Sequence, residues 1–404
     1  MGILDELEKR GYIEQTTDRE GLEKLLEEEK VSFYVGIDPT ADSMHIGHFV
    51  SLMVASRLQK AGHRPIILMG GGTAAIGDPS GRTDMRKMLT REELDSNVEA
   101  IKKQAEKFVS FEGENAAIIV NNKDWLLDLN YIEFMREIGS KFTVSRMIAQ
   151  ECYKVRLDSG LTFFEMGYLL LQSYDFYYLY KKYNCKLQIG GNDQWSNIIG
   201  GVELIRKMTG NEDSFGLTFK LLLTAEGKKM GKTSKGALWL SPEKTSPYDF
   251  YQYWRNIGDT EVRKVLSLLT YLPDDEVTRL SNLKDEELNE AKKVAAYEIT
   301  KLIHGAEEAK KAEEVTDALF GNGGNIENMP TTKLDEKNIS IVDAIVKAGF
   351  AESKGQAKKL IIQGGILLND NKITDMSYVL KDEDFGEGYA ILKKGKKSFR
   401  KLEI

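Results

Sequence analysis

Val31-Ser32-Phe33-Tyr34-Val35-Gly36-Ile37 runs directly into Asp38-Pro39-Thr40, and His45-Ile46-Gly47-His48 follows close behind. An apolar run, a turn and then a helical pattern over 47–60 read as strand, turn and helix. Gly47 at the helix start lets a ligand approach the backbone, because it has no Cβ. A helix N-terminus presents unsatisfied N–H groups and a partial positive charge to any anion held there. Only four histidines occur in the chain, and two of them, His45 and His48, flank this glycine. Ordinary core or surface imidazoles are the alternative; the preceding turn favours donors to phosphate and ribose oxygens.

The same order of elements recurs outward from that stretch. Short apolar runs over 31–37, 65–69, 116–120 and 186–189 alternate with helical patterns over 47–60, 91–108, 131–138 and 163–183. Strands alternating with helices predict an α/β fold, a parallel sheet covered by helices on both faces, with its ligand crevice at the carboxyl ends of the strands. Asp38 to His48 follows the first run, Gly70 to Asp78 the second, and Gly190 to Gln194 the fourth, so these segments should converge. Gly70-Gly71-Gly72-Thr73-Ala74-Ala75 matches a dinucleotide-binding fingerprint in form. That fingerprint needs a helix to open there, yet Gly77-Asp78-Pro79-Ser80-Gly81 breaks the chain at once. A loop held against a ligand, with Asp78 offering its carboxylate to a cation, is the better reading.

The 404 residues are 41% hydrophobic and 29% charged, enough for two or three domains. Cys152 and Cys185 fit no metal spacing and build no disulfide framework, so a reducing cytoplasmic setting is expected. The amino-terminal stretch is acidic and helical, unlike a signal or transit peptide, and no apolar run reaches membrane-spanning length. Residues 338–404 hold twelve basic and nine acidic side chains, net +3, which leaves −10 for the rest of a chain whose total is −7. An acidic body with a mildly basic tail suits a protein that meets RNA through local patches. From 246 to 319 the pattern is helical, and Gly321-Asn322-Gly323-Gly324-Asn325 marks a linker.

Two further constellations carry chemistry. Tyr168, Gln172 and Asp175 are spaced four and three apart, which places them on one face of an otherwise apolar helix. Buried polar groups need partners, and the spacing leaves protein groups and a small polar ligand equally open. Lys228-Lys229-Met230-Gly231-Lys232-Thr233 by itself reads as a solvated basic loop. Paired with the histidine tetrad, it resembles the mobile lysine loop of class I aminoacyl-tRNA synthetases. Gly231 and Thr233 depart from the usual Lys-Met-Ser-Lys-Ser, a form that the tyrosyl branch tolerates.

With Tyr34 to Thr40 and Leu187-Gln188-Ile189-Gly190-Gly191-Asn192-Asp193-Gln194-Trp195 added, essentially the whole chain resembles the bacterial-type tyrosyl-tRNA synthetases. The resemblance implies a Rossmann-like catalytic domain over 1–225, a lysine loop and α-helical anticodon-binding domain over 226–320, a linker over 321–337, and a small α+β S4-like RNA-binding domain over 338–404. It implies that Tyr34 and Asp175 contact the phenolic hydroxyl of L-tyrosine. Asp78, Tyr168 and Gln172 would hold the ammonium group, with Gln188 nearby. Gly36, Asp38, Gly47, Gly191, Asp193, Gln194 and Lys232 would line ATP or the adenylate. Thr40, His45, His48, Arg82, Arg86, Lys229 and Lys232 would meet phosphates and ribose; relatives often carry Lys where Arg82 stands.

The chemistry implied is activation of tyrosine by ATP, accompanied by Mg²⁺ with its phosphates and no dedicated protein metal ligands. Transfer to the 3′ end of tRNA(Tyr) follows, in a homodimer. Lys354, Lys358 and Lys359 on one helix face, and the basic hairpin 393–397 with Arg400 and Lys401, would touch RNA phosphates. A tryptophan-specific synthetase and a non-enzymatic RNA-binding relative remain the alternatives. An indole N–H only donates, whereas the Tyr34/Asp175 pair can both donate to and accept from a hydroxyl.

Overall fold

Six strands, β1 (Ile13–Thr16), β2 (Ser32–Ile37), β3 (Arg64–Met69), β4 (Ile118–Asn121), β5 (Cys185–Gly191) and β6 (Phe215–Phe219), form one sheet in the order β1-β6-β5-β2-β3-β4. Neighbours are parallel except β1, which closes the edge antiparallel to β6. The four strands expected from the sequence are β2 to β5; β1 and β6 are not among the apolar runs singled out there. The computed structural model describes residues 2–80, 89–150, 153–154, 157, 160–233, 236–320, 329–336, 338–386, 388–395 and 398–404.

From β2 the chain steps outward through β3 to β4, then returns to place β5 on the other side of β2. The strand order therefore reverses between β2 and β5, the place where open parallel sheets bind ligands beyond their carboxyl ends. Register sets Tyr34 on β2 directly beside Gln188 on β5. The helix Phe163–Tyr183, which leads into β5, starts on a capping box in which Thr162 Oγ1 accepts from Glu165 N and Thr162 N donates to Glu165 Oε2. It stops at Asn184, whose φ of 49° no helix can continue through. The loop expected after Gly70 is found, with a single 3₁₀ turn, Thr73–Ala75, before the breaker at Gly77 (φ 88°).

The chain divides into two compact units, 1–245 with 258–284, and 246–257 with 285–404. In the second, the helices Pro247–Arg255, Leu288–His304 and Ala306–Phe320 pack on one another. The same unit holds a five-stranded sheet of β9 (Thr331–Lys333), β10 (Ile366–Leu368), β11 (Asn371–Lys372), β12 (Tyr389–Lys394) and β13 (Ser398–Glu403), ordered β11-β10-β12-β13-β9. The helices Ile341–Lys347 and Lys354–Ile362 share its core through Ile341, Ile345, Ala357 and Ile361. Between β6 and β9 the only strands among the described residues are β7 (Lys232–Thr233) and β8 (Gly236–Ala237), which pair as a two-stranded hairpin. No helix among the described residues is long and apolar enough to cross a membrane.

Within the first unit, Arg57 ties the helix Ile46–Lys60 to two other segments. Its guanidinium donates to Thr270 O at 2.8 Å and to Tyr12 Oη at 3.3 Å, and it pairs with Glu6 at 2.5 Å. Burial opposes the charge, but the Tyr12 and Glu6 contacts outweigh it and hold the Arg57 pKa above its ordinary value. Arg57→Met keeps the apolar stem and orphans a buried carbonyl and a carboxylate. Glu6 is a third exposed, so the cost should sit at the low end for a broken buried pair, about 3 kcal/mol. A lowered urea midpoint should show it; an unchanged midpoint would make the cluster energetically idle.

Candidate active site

One cavity of about 650 Å³ opens at the carboxyl ends of β2 and β5. Tyr34, Gly36, Asp38, Thr40, His45, Gly47 and His48 line one side of it, and Asp78, Tyr168, Gln172 and Asp175 the floor. Gln188, Gly191, Asp193, Gln194 and Lys229 complete the wall. Thus segments separated by nearly two hundred positions converge as the strand-end rule demands. Arg82 and Arg86 lie outside the described residues, and of Lys232 only the backbone, in the two-stranded hairpin, is described.

The floor is built around Asp175, which is 1% exposed. Asn122 Nδ2 donates to its Oδ2 and Trp125 Nε1 to its Oδ1, both at 2.8 Å. Asn122 also donates to Thr73 Oγ1 at 3.0 Å and accepts from Gly72 N at 2.7 Å, while Thr73 donates to Asp38 Oδ1 at 2.9 Å. Burial pushes the Asp175 carboxyl up to about 8; its two donors pull the other way, and the Asp38 charge adds to the rise. Tyr34, equally buried, has its hydroxyl pushed well above the ordinary value by burial first and by Asp175 second. The Tyr34 hydroxyl has no hydrogen-bond partner among the described residues, and neither do Gln172 Oε1 and Gln188 Oε1. Tyr34 and Asp175 therefore do not satisfy each other.

Asn122 and Trp125 are functional neighbours that the sequence reading does not single out. The signal is available: Asn122 directly follows β4 as the other site segments follow β2, β3 and β5. Tyr168 donates to Asp38 Oδ2 at 3.0 Å, so these two residues, expected at different ends of the ligand, form one pair. Asp78 accepts from Ser80 N at 2.9 Å and Gln194 Nε2 at 2.6 Å, and Gln172 Nε2 reaches Gln194 Oε1 at 3.3 Å.

The histidine tetrad corrects one expectation. The first amides of the Ile46–Lys60 helix are not left for an anion. Ile46 N donates to Leu238 O at 3.1 Å, Gly47 N to His45 Nδ1 at 3.0 Å and His48 N to His45 O at 2.9 Å. In return His45 N donates to His48 Nδ1 at 3.3 Å, a capping box made by imidazoles. Gly47 is required because a Cβ there would stand 2.7 Å from His45 Cε1. A neutral ring that accepts at Nδ1 carries its hydrogen on Nε2. Both histidines therefore offer Nε2–H donors in place of the amides they cap.

Across the cavity, Lys229 Nζ stands 3.6 Å from Asp193 and is half exposed. Burial raises the Asp193 pKa; the Lys229 charge lowers it, and Asp78 raises it again. Gly227 and Gly231 both take positive φ, 77° and 79°. At Gly231 a Cβ would collide with Ile46. Among the described residues no cluster of three or more His, Cys, Asp or Glu is placed to hold a metal ion.

Residues 26–321 match the family model of class I tRNA synthetases for tryptophan and tyrosine, and 323–402 match that of a tyrosine–tRNA ligase C-terminal domain. The chain is 56% identical to tyrosine–tRNA ligase 1 of Clostridium acetobutylicum, covering all of this chain and 99% of that one. It is also 56% identical to the tyrosine–tRNA ligase of Caldanaerobacter subterraneus subsp. tengcongensis, with both chains fully covered. A C-terminally truncated mitochondrial tyrosyl-tRNA synthetase from Aspergillus nidulans superposes with a TM-score of 0.70 at 28% identity, covering 79% of this chain and 94% of that one.

The buried carboxyl has a pH signature. A group raised from 3.8 to about 8 keeps in the folded state a proton that the unfolded chain has already lost. Its contribution to the stability of the ligand-free protein falls as pH rises from about 4 to about 8 and is level beyond that. Asp175→Asn removes the titration, so its melting temperature should change less with pH across that window than the parent's. Equal slopes would mean that Asp175 stays ionised throughout.

Proposed function

We infer that this chain, which belongs to the class I tRNA synthetases of the tryptophan and tyrosine group, is a tyrosine–tRNA ligase that joins L-tyrosine to ATP and passes the product to tRNA. The observation that carries the choice of amino acid is the unpartnered Tyr34 hydroxyl beside the Asp175 carboxyl. A phenol satisfies both; an indole N–H or a phenylalanine ring leaves at least one buried group unpaired, at about 1–3 kcal/mol. The open Gln172 and Gln188 carbonyls, with Asp78 and the Tyr168–Asp38 pair, are acceptors suited to the ammonium group.

The tyrosine carboxylate attacks the α-phosphorus of ATP; the new carboxylate–phosphorus bond forms as the bond to pyrophosphate breaks. The nucleophile is already ionised, so what the residues supply is position and positive charge. We assign the His45 and His48 Nε2–H groups, Thr40, Arg82 and Arg86 to the phosphates, and Gly36, Gly47, Gly191 and Gln194 to the nucleotide's flanks. Lys229 and Lys232 close onto the β- and γ-phosphates. As Lys229 leaves Asp193, that carboxylate is released to accept from the ribose. Mg²⁺ arrives with the ATP phosphates as part of the substrate.

Residues 1–225 form the catalytic domain in this reading, 226–320 the lysine loop and anticodon-binding helices, and 338–404 the S4-like RNA-binding domain. Exposed Lys358 and Lys359, with Lys354, face tRNA phosphates. We assign the cytoplasm as location and a homodimer as the working form. Leu127, Tyr131, Ile132, Val144 and Phe163, all more than half exposed, are the apolar surface that a second copy would cover.

Pyrophosphate–ATP exchange tests the assignment directly. Exchange should depend on tyrosine and not on phenylalanine or tryptophan. Lys232→Ala should depress kcat by about a hundredfold or more with tyrosine binding nearly unchanged, as for a contact made in the transition state. Equal losses in binding and turnover would remove Lys232 from that role. A chain ending before Gly321 should keep exchange and sediment as a dimer, yet fail to charge tRNA. If charging survives, residues 338–404 are not the RNA module.

A further inference from the structure

Trp239, just past the lysine loop, has no part in the chemistry above, yet it lies against the residue that caps the catalytic helix. Residues 44–46 and 238–240 run antiparallel: Ile46 N donates to Leu238 O at 3.1 Å, Leu240 N donates to Met44 O at 2.9 Å, and His45 faces Trp239 as its bridge partner. The indole meets the His45 imidazole edge-on, with centroids 5.9 Å apart and planes at 61°. Lys244 Nζ stands 5.0 Å from the indole centroid and is itself tied to Asp42 at 2.6 Å. Trp239 N donates to Thr245 Oγ1 at 3.1 Å. The indole is thus fixed by its own backbone, a cation and a bridge.

The other end of this segment belongs to the loop. Leu238 N donates to Gly231 O at 2.6 Å. The backbone that carries Lys229 and Gly231 and the cap that carries His45 are therefore joined through two hydrogen bonds at Leu238. His45 is constrained at Nδ1 by Gly47 N and on its ring by the indole, which leaves little freedom in where its Nε2–H points.

We propose that Trp239 is a positioning residue for His45, through which the segment closing the lysine loop sets the imidazole against the ATP phosphates. The proposal rests on the assignment of His45 to those phosphates. An imidazole displaced by about an ångström forfeits most of a transition-state contact while leaving the tyrosine floor untouched, a loss on the order of tenfold to a hundredfold in turnover.

The test is a double-mutant cycle in tyrosine-dependent pyrophosphate–ATP exchange on the full chain. Trp239→Ala should lower kcat by about tenfold to a hundredfold with the KM for tyrosine changed less than about twofold, and Trp239→Phe should recover most of the loss. In a His45→Ala background, Trp239→Ala should cost almost nothing more. If Trp239→Ala melts below the assay temperature, Trp239→Phe and Lys244→Met carry the same cycle, each giving a smaller loss that His45→Ala abolishes. Losses that multiply in the double variant, or a raised tyrosine KM with intact kcat, overturn the proposal alone. Full exchange by His45→Ala overturns the phosphate assignment and the proposal with it.

Discussion

A carboxyl group buried at the bottom of a cavity is the constraint around which the first unit is arranged. Asp175 cannot lie there without donors, and its donors come from the far side of the sheet: Asn122 and Trp125, just past β4. Holding Asn122 in place takes Thr73 and Gly72 from the loop after β3, and Thr73 reaches Asp38 after β2. One chain of hydrogen bonds therefore ties together the carboxyl ends of three strands. The reversal of strand order adds β5 and sets Gln188 beside Tyr34. The network is full on the side that faces protein and open on the side that faces the cavity, where Tyr34, Gln172 and Gln188 each leave a polar atom unpaired. Unpaired buried groups cost about 1–3 kcal/mol each, so a ligand of matching donors and acceptors is favoured over one that merely fits.

The opposite end of the cavity follows another logic. Lys229 is half exposed, its ion pair among the described residues is a 3.6 Å contact with Asp193, and the loop around it turns on two glycines at positive φ. In the proposed function the floor recognises the amino acid, and Lys229 on the glycine-flanked rim supplies charge to the phosphates. The imidazole caps stand between the two. By consuming the helix amides they exchange backbone donors, fixed in direction, for Nε2–H donors whose aim depends on what packs against each ring.

Much of this was legible in the sequence, because strand–turn–helix order, the breaker after Gly70 and the 4-then-3 spacing of Tyr168, Gln172 and Asp175 are local patterns. The converging segments follow from strand ends alone. β1 is a short edge strand and β6 lies just inside it; both are defined by pairing with strands distant in sequence, and a short run carries little periodicity. The use of the helix amides was illegible for a related reason: Ile46 N is satisfied by Leu238, far along the chain. Asn122 and Trp125 sit where the strand-end rule points, but nothing local marks them, and only the carboxyl they meet, some fifty positions away, gives them meaning.

The carboxyl-terminal cations differ in the partners that the structure gives them; Lys396 and Lys397 of the basic hairpin lie outside the described residues. Arg400 donates to Asp249 through two nitrogens at 2.6 and 3.3 Å, which joins β13 to the helix Pro247–Arg255 within the second unit. Lys401 pairs with Glu403 at 2.6 Å, Lys393 with Asp370, and Lys394 donates to Phe350 O at 2.9 Å. A lysine or arginine already paired must give up that partner before it binds a phosphate, so each such contact adds less affinity than its charge suggests. The helix Lys354–Ile362 differs: Lys354 pairs with Asp343 at 2.7 Å, but exposed Lys358 and Lys359 have no ion-pair partner among the described residues. Of these cations, Lys358 and Lys359 are the ones whose side chains have neither an ion pair nor a hydrogen bond among the described residues, and RNA affinity should follow their helix face more closely than Lys393, Lys394, Arg400 and Lys401.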